Sequence, residues 1–178
     1  KAALLNRLGS GKHRLLELGV GGGHNLHHLA AGHEVVAVDL SEKMLVHSIR
    51  LNPSDEHYVG DMRSVRLNRV FDAVLIHDAI CHMLSESDLA ATFATAAEHL
   101  TSGGILITTP DYTTETLVSP YAFHQTRTNG DTTLTYVEYL YDPNPSDTTY
   151  DLFLTFLIEQ AGTRRVEFDH LLIGVFPK

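Results

Sequence analysis

Residues 15–23 read LLELGVGGG, an aliphatic run that gives way to four glycines. The run from Arg14 to Leu18 contains no residue that breaks a strand, and a helical segment begins near His24. The glycines between them let the backbone turn sharply and approach a ligand without an intervening Cβ atom. A strand, a glycine turn and a helix in this order predict the first unit of a parallel sheet, with a ligand-binding loop where the strand ends.

Short aliphatic runs alternate with helical segments as far as residue 110. The other runs that predict strands are Glu34–Asp39, His57–Val59, Phe71–Ile76 and Ile105–Thr109. Alternating strands and helices are typical of βαβ units, in which the strands lie parallel. The sequence therefore predicts an α/β fold, with a Rossmann-like, mostly parallel sheet flanked by helices.

Two serines indicate where helices begin. Ser41 is the predicted N-cap of the helix that follows the second strand. Ser85 and Asp88 form the S-x-x-D pattern of a capping box, which opens a long helix predicted to run to about Leu100. The Gly103–Gly104 pair is predicted to stop that helix before strand five.

The pattern changes after Pro110 to β-rich stretches separated by turns. The stretches that predict strands are Thr132–Leu140, Tyr150–Ile158 and Arg165–Val175, with turns at residues 142–145 and at Gly162. Their short connections predict an antiparallel β-meander after strand five. Because no linker is long enough to split the chain, residues 1–178 are predicted to form a single domain, with an α/β core at 1–110 and an elaboration at 111–178.

Composition argues against several classes of partner. The chain carries 13 Lys and Arg against 22 Asp and Glu, and this net charge of −9 disfavours binding to nucleic acid or to an anionic membrane. No apolar run reaches the ~18 residues of a spanning helix.

The one cysteine, Cys81, has no partner for an internal disulfide, so we expect a cytoplasmic protein. The chain opens on Lys1 inside an apolar helical pattern, so we expect both of its ends to be incomplete.

Two acidic residues follow strands at the edge where the glycine loop lies. Asp39 ends the second strand twenty positions after Gly19, where a carboxylate accepts hydrogen bonds from both hydroxyls of a ribose. Asp61 follows the third strand and is placed to accept from an adenine amino group. The dinucleotide pattern G-x-G-x-x-G requires glycine where this chain has His24. This edge is therefore predicted to bind a nucleotide-type cofactor, and a nicotinamide cofactor is disfavoured.

Five passages, in order along the chain, resemble the motifs of class I S-adenosylmethionine-dependent methyltransferases. They are residues 15–23, 36–45, 60–63, 71–78 and 99–107. An ordered set of five is far more specific than any one motif. The resemblance implies a cofactor-binding core at residues 1–110, with S-adenosylmethionine as the cofactor and S-adenosylhomocysteine as its product.

The resemblance also implies roles for the residues around the cofactor. Glu17 orients the methionine amino end, Asp39 holds the ribose, and Asp61 frames the adenine together with the residue after it. His77 stands near the methionine moiety, and Met44 packs either against the ribose or base or in the hydrophobic core. The full set of implied cofactor contacts is Glu17, Gly19, Gly21, Gly23, Asp39, Leu40, Met44, Gly60, Asp61, Met62 and His77.

The strand-rich segment from Asp131 to Lys178 resembles the insertion of small-molecule methyltransferases related to the amino-sugar N-methyltransferases. In such relatives the insertion covers the acceptor site or joins two subunits, and a further helix and hairpin complete the sheet. Here that helix and hairpin are missing, or the meander replaces them. If they are missing, strand five is an exposed edge that a homodimer would cover. The resemblance thus implies an acceptor-side or dimerisation role for residues 111–178.

The predicted reaction requires the protein mainly to position the reactants. Methyl transfer from a sulfonium is a direct displacement that depends mainly on alignment, whereas a hydroxyl acceptor gains from a general base. The expected acceptor is a small molecule methylated at an N or O atom, with amines favoured. The candidate catalytic residues could face a shared pocket above the sheet, or could be ordinary hydrogen-bonded or solvent-facing side chains. They are His82 after strand four, Tyr112 after strand five and His170 in the meander.

Two other functions stay open on the sequence. One is a nicotinamide-dependent oxidoreductase, and the other is a non-catalytic cofactor-binding subunit that needs a partner. A metal site is not predicted, although His24, His27 and His28 have a spacing that would bring three imidazoles together on one helix. Three ligands without a fourth make an incomplete zinc site.

Overall fold

The computed structural model describes residues 6–178, which divide into two units. The first unit contains residues up to 81 and residues 85–111, and the second contains residues 82–84 and 112–178. The apolar helical pattern predicted to begin at Lys1 falls largely outside the described residues.

The first unit contains a five-stranded parallel sheet. Its strands are β1 (Arg14–Leu18), β2 (Glu34–Asp39), β3 (Glu56–Val59), β4 (Phe71–His77) and β5 (Leu100–Thr109). They are arranged in the order β3-β2-β1-β4-β5, and every neighbouring pair is parallel. The predicted α/β, Rossmann-like fold class is confirmed. The carboxyl ends of β1, β2 and β4 therefore meet at one edge of the sheet, where the candidate cofactor contacts lie.

In the first unit, two helices begin at the predicted serine N-caps, and another begins directly after the glycine loop. They are α1 (His24–Ala30), α2 (Glu42–Leu51) and α3 (Glu86–Glu98), with a 3₁₀ turn at Ala79–His82. Ser41 Oγ accepts the Met44 N–H at 3.3 Å, and Ser85 Oγ accepts the Asp88 N–H at 3.1 Å. Both predicted N-caps are confirmed. Within residues 6–178, no helix is long and apolar enough to span a bilayer.

The predicted boundary between α3 and β5 is wrong. The helix ends at Glu98, because the His99 N–H bonds back to the carbonyls of Thr95 and Ala96 and closes the last turn. Leu100 already pairs with the first residue of β4, so the Gly103–Gly104 pair lies inside β5. The register shifts there, and the extra residues of β5 form a bulge that glycine at φ 79° tolerates.

Burial on both faces explains the continuous aliphatic runs of the central strands. Leu15 and Leu16, neighbours that point to opposite faces of β1, are both fully buried, as are Val38 in β2 and Val74 in β4. A strand buried in this way has one register, because a slip would expose apolar side chains. The central strands therefore hold their last residues in fixed positions.

The second unit contains a four-stranded antiparallel sheet in the order β6-β7-β8-β9. Its strands are β6 (Tyr121–Asn129), β7 (Thr132–Tyr141), β8 (Thr149–Gln160) and β9 (Thr163–Gly174). The predicted meander after strand five is confirmed, but the sequence predicted three strands and missed β6. Every residue of β6 is exposed, so its sequence lacks a buried apolar face. Asn129-Gly130, with Gly130 at φ 61°, is the hairpin signal that could have located it.

Candidate functional site

The glycine loop after β1 adopts a backbone that only glycine accepts readily. Gly19, Gly21 and Gly23 have φ values of 77°, 54° and 80°. The Gly19 and Val20 N–H groups both donate to Val38 O, at 2.8 and 3.1 Å, which ties the loop to the end of β2. A Cβ atom on Gly19 would lie 2.2 Å from the Cβ of Ala79. The loop is therefore close-packed on one side.

Asp39 joins the glycine loop to the start of α2. Its Oδ2 accepts the Gly21 N–H at 2.7 Å, and its Oδ1 accepts the Ser41 N–H at 2.8 Å. A carboxylate oxygen has two lone pairs, so each oxygen keeps the capacity to accept one more hydrogen bond. This pair of acceptors matches the two hydroxyls of a ribose. Leu40, the next residue, is exposed.

Glu17 is a buried carboxyl group in the strand that leads into the loop. Its side chain is 1% exposed, and its Oε1 accepts a hydrogen bond from Asn25 Nδ2 at 2.6 Å. Among residues 6–178, Oε2 has no hydrogen-bond partner. Burial raises the Glu17 pKa to about 7, although the Asn25 hydrogen bond and the nearby His77 act in the opposite direction. An unpaired buried acceptor of this kind fits an ammonium group.

Two methionines predicted to touch the cofactor lie beside the glycine loop. A Cβ atom on Gly19 would be 3.0 Å from Met62 Cε, and one on Gly21 would be 3.6 Å from Met44 Cε. The Gly60 N–H donates to Asp39 O at 3.0 Å, so the loop after β3 is joined to the end of β2. The loops after β1, β2 and β3 thus converge at one place.

Asp61 is held by an arginine that the sequence analysis did not single out. Its carboxylate accepts Arg63 Nε at 3.0 and 3.1 Å and Nη2 at 2.6 Å, and the Arg63 N–H also donates to it. Arg63 Nη1 in turn donates to Asp88 Oδ1 at 2.9 Å. These contacts hold the pKa of Asp61 below its ordinary value. Asp61 is therefore a fixed, ionised acceptor.

His77 ends β4, next to the end of β1. Its Nδ1 lies 2.8 Å from Asp78 Oδ2, and its side chain is about half exposed. Asp78 has a positive φ of 57°, and its N–H lies 3.2 Å from Thr109 O, so the chain turns sharply after the histidine. His77 also lowers the Glu17 pKa, so its imidazole lies near that carboxyl group.

Comparison with known proteins identifies the family of this site. Residues 15–104 match the model of a family described as a methyltransferase domain. The chain belongs to this methyltransferase-domain family. It is 34% identical over 104 residues to a dTDP-3-amino-3,4,6-trideoxy-alpha-D-glucopyranose N,N-dimethyltransferase of Streptomyces venezuelae, covering 57% of this chain and 44% of the relative. The chain spans about half the length of the curated relatives that it matches.

A second curated relative and two solved structures extend the similarity. The dTDP-3-amino-3,6-dideoxy-alpha-D-glucopyranose N,N-dimethyltransferase of Streptomyces fradiae is 32% identical over 140 residues, 78% of this chain and 55% of that protein. DesVI of Streptomyces venezuelae matches 99% of this chain and 75% of its own, with a TM-score of 0.92 and 25% identity. SAM-bound CalS10, an amino pentose methyltransferase from Micromonospora echinaspora, matches 99% and 76%, with a TM-score of 0.88 and 23% identity, which supports the fold alone.

The three candidate catalytic residues all belong to the second unit. His82 ends the 3₁₀ turn and is exposed. The Tyr112 ring meets the Tyr150 ring edge-on, with centroids 6.3 Å apart. His170 Nε2 lies 2.6 Å from Asp151 Oδ1, and its ring stacks on Phe153 at 4.5 Å. His170 thus has a carboxylate partner of the kind that can orient an imidazole.

The three neighbouring histidines of α1 do not form a metal site in the described structure. Within residues 6–178, no group of three or more His, Cys, Asp or Glu residues has an arrangement that could hold a metal ion. His27 Nδ1 lies 3.1 Å from Asn52 Oδ1, so it takes part in a different contact.

Sequence reasoning missed Asn25 and Arg63, the residues that hold Glu17 and Asp61. Asn25 lies eight residues after its partner, on the far side of the glycine turn. Its contact depends on the turn geometry, which no short pattern encodes. Arg63 lies two residues after Asp61, and an acid followed at this spacing by arginine is the signal that could have found it.

Proposed function

We propose that this protein transfers a methyl group from S-adenosylmethionine to the nitrogen of a small-molecule amine. The observation that carries the proposal is the convergence of an unpaired, buried Glu17 oxygen and the Asp39 carboxylate on one glycine loop. The Glu17 oxygen suits the ammonium of an amino acid, and the Asp39 carboxylate suits the hydroxyls of a ribose. S-adenosylmethionine contains both groups, and the family match supports it over a nicotinamide cofactor.

The chain's own residues would hold the cofactor from several sides. Glu17 would pair with the methionine ammonium, with His77 nearby, and Asp39 would accept from the ribose hydroxyls. Asp61, fixed by Arg63, would accept from the adenine amino group. When bound, the cofactor supplies an electrophilic methyl group on its sulfonium. The remaining proposed contacts are Gly19, Gly21, Gly23, Leu40, Met44, Gly60 and Met62.

Titration calorimetry with S-adenosylhomocysteine tests the proposal without requiring the acceptor. Saturable binding is expected, with none to NADH in a parallel titration. Binding of NADH alone would instead support the oxidoreductase. Binding of S-adenosylhomocysteine without methyl transfer to any amine or hydroxyl acceptor would support a non-catalytic subunit that needs a partner.

The named relatives guide the choice of acceptor. Both curated relatives are N,N-dimethyltransferases of dTDP-linked amino sugars, so we infer a sugar amine as the acceptor here. An amine attacks only when it is unprotonated, and positioning next to the methyl group supplies most of the rate. A base that removes the ammonium proton raises the fraction of reactive acceptor. His82, Tyr112 and His170 are the candidates for this proton transfer.

His170 is expected to contribute most of the three. We expect His170→Asn to lower kcat about a hundredfold, the lower end of general-base effects, and to leave the S-adenosylhomocysteine Kd unchanged. Asp151→Asn should lower kcat less, because the imidazole loses only its orienting partner. Methyl transfer to a dTDP-amino sugar would be measured for both, beside His82→Ala and Tyr112→Phe. Wild-type kcat in His170→Asn would contradict the role.

We infer that both units act as one methyltransferase domain, working in the cytoplasm as a homodimer joined through the second unit. Exposed apolar side chains on one face of the second unit's sheet support the homodimer. They include Val166 and Phe168, which are 63% and 65% exposed. Light scattering should give the dimer mass, and Phe168→Glu should give the monomer mass. Phe123→Glu, on the opposite face, is the matched control and should stay dimeric. A monomeric wild type would contradict the dimer.

A further inference from the structure

A buried polar cluster lies under the glycine loop and is not used by the proposed cofactor contacts. Its centre is formed by Ser48 and Asn52 of the α2 end, which are 0% and 4% exposed. His27 of α1 and His57 of β3 complete it. Buried polar groups destabilise a fold unless they are hydrogen-bonded, so the contacts of this cluster are informative.

Asn52 joins the end of α2 to the end of the glycine loop. Its Nδ2 donates to Gly23 O at 2.9 Å and lies 3.3 Å from Ser48 O. Because the amide nitrogen faces two carbonyls, Oδ1 is the acceptor that faces His27, and His27 Nδ1 donates to it at 3.1 Å. Gly23 O also accepts the His27 N–H at 3.0 Å, as the first hydrogen bond of α1. One side chain therefore holds both the loop and the helix.

Ser48 and His57 attach the same cluster to the sheet. His57 Nδ1 faces Asp55 O at 3.0 Å, so this nitrogen carries the proton. In the neutral ring, His57 Nε2 then accepts from the Ser48 hydroxyl, at 2.8 Å. These bonds connect α2 to β3 and leave the cluster little freedom to shift.

The loop rests directly on this cluster. A Cβ atom on Gly23 would lie 2.3 Å from Ser48 Oγ and 2.6 Å from Asn52 Nδ2. Contacts this short leave no space for a side chain at position 23. Two residues further on, Asn25 makes the hydrogen bond to Glu17. The position of α1 on the cluster thus also sets the position of Asn25.

We propose that Asn52 is a positioning residue for the cofactor site. By holding Gly23 and His27, it keeps the Gly21 N–H on Asp39 and the Asn25 amide on Glu17. The inference rests on the proposed function, since it assigns a role toward the same cofactor. It also makes His27, an exposed histidine, part of the site's support.

Asn52→Ala tests this role through affinity and through its pH dependence. The Kd for S-adenosylhomocysteine is expected to rise at least tenfold, measured by calorimetry well below the melting temperature of the variant. The pH at which affinity reaches half of its maximum should also move upward, because the Asn25 hydrogen bond no longer lowers the pKa of Glu17. A purely structural role for Asn52 would lower the melting temperature without moving that pH.

A matched pair of histidines keeps the test decisive if Asn52→Ala does not fold. His27→Ala removes the donor to Asn52 Oδ1 from an exposed helix position and should raise the Kd about threefold, with the same upward shift in pH. His47→Ala removes an exposed histidine from α2 in the same way and should match wild type. Wild-type affinity and pH profile in folded Asn52→Ala, or equal effects in the two histidine variants, would overturn the inference. If wild type binds no S-adenosylhomocysteine, the proposed function itself fails.

Discussion

Replacing Asp39 with alanine is expected to weaken S-adenosylhomocysteine binding at least a hundredfold. The carboxylate would accept two ribose hydroxyls, and a hydrogen bond to a charged group contributes about 1.5–3 kcal/mol. The same change removes the acceptor for the Gly21 and Ser41 N–H groups, so the glycine loop loses its tie to β2. Titration calorimetry on the folded variant measures the loss.

Asp72→Ala is the matched control for this change. Asp72 also accepts a backbone N–H, that of Arg14 at 2.9 Å, but it lies at the opposite end of the strands from Asp39. Its loss should lower stability and leave the Kd for S-adenosylhomocysteine unchanged. A folded Asp39→Ala variant that binds with wild-type affinity would contradict the assignment of the ribose.

The parallel sheet could be predicted from sequence because burial and aliphatic character coincide there. Arg14–Leu18 and Glu34–Asp39 were predicted with their observed bounds, since strands covered on both faces leave continuous apolar runs. The same logic failed for β6, which has no buried residue to mark it. It also failed at Gly103–Gly104, where glycine forms a bulge inside a strand and the helix had already ended at Glu98.

The candidate site likewise contains some residues that the sequence predicts and others that it does not. Motif resemblance predicted Glu17 and Asp39 as cofactor contacts, and both lie beside the glycine loop with acceptor capacity to spare. The side chains that hold the site in place, Asn25, Asn52 and Arg63, were not predicted. Their contacts depend on the turn of the loop and on the seating of α1 over α2, which arise only when the chain is folded.

The burial of Glu17 predicts that cofactor affinity depends on pH near neutrality. With a pKa of about 7, roughly a tenth of the unliganded molecules are ionised at pH 6 and nine tenths at pH 8. An ammonium group pairs with the ionised form, so affinity for S-adenosylhomocysteine should rise about tenfold between these pH values. Calorimetry in buffers of different ionisation enthalpy should also detect proton release on binding at pH 6.5.

The same carboxyl group should make the stability of the unliganded fold decrease as pH rises, whereas cofactor affinity increases. A carboxyl pKa raised by folding favours the protonated folded state, so its contribution is fully present below the ordinary value of 4.5 and is lost as pH rises through about 7. A shift of this size corresponds to about 3 kcal/mol in the free energy of unfolding. Unliganded wild type should therefore lose stability across this window, relative to Glu17→Gln.

Glu17→Gln separates the two effects because it keeps an acceptor for Asn25 and removes the charge. The variant should be more stable than wild type at pH 8, yet bind S-adenosylhomocysteine weakly and with no rise between pH 6 and 8. Equal pH profiles for the two proteins would exclude Glu17 as the partner of the ammonium. The expected pattern would mean that the buried charge destabilises the empty fold and that the cofactor's ammonium offsets this on binding, which ties the stability of the domain to its ligand.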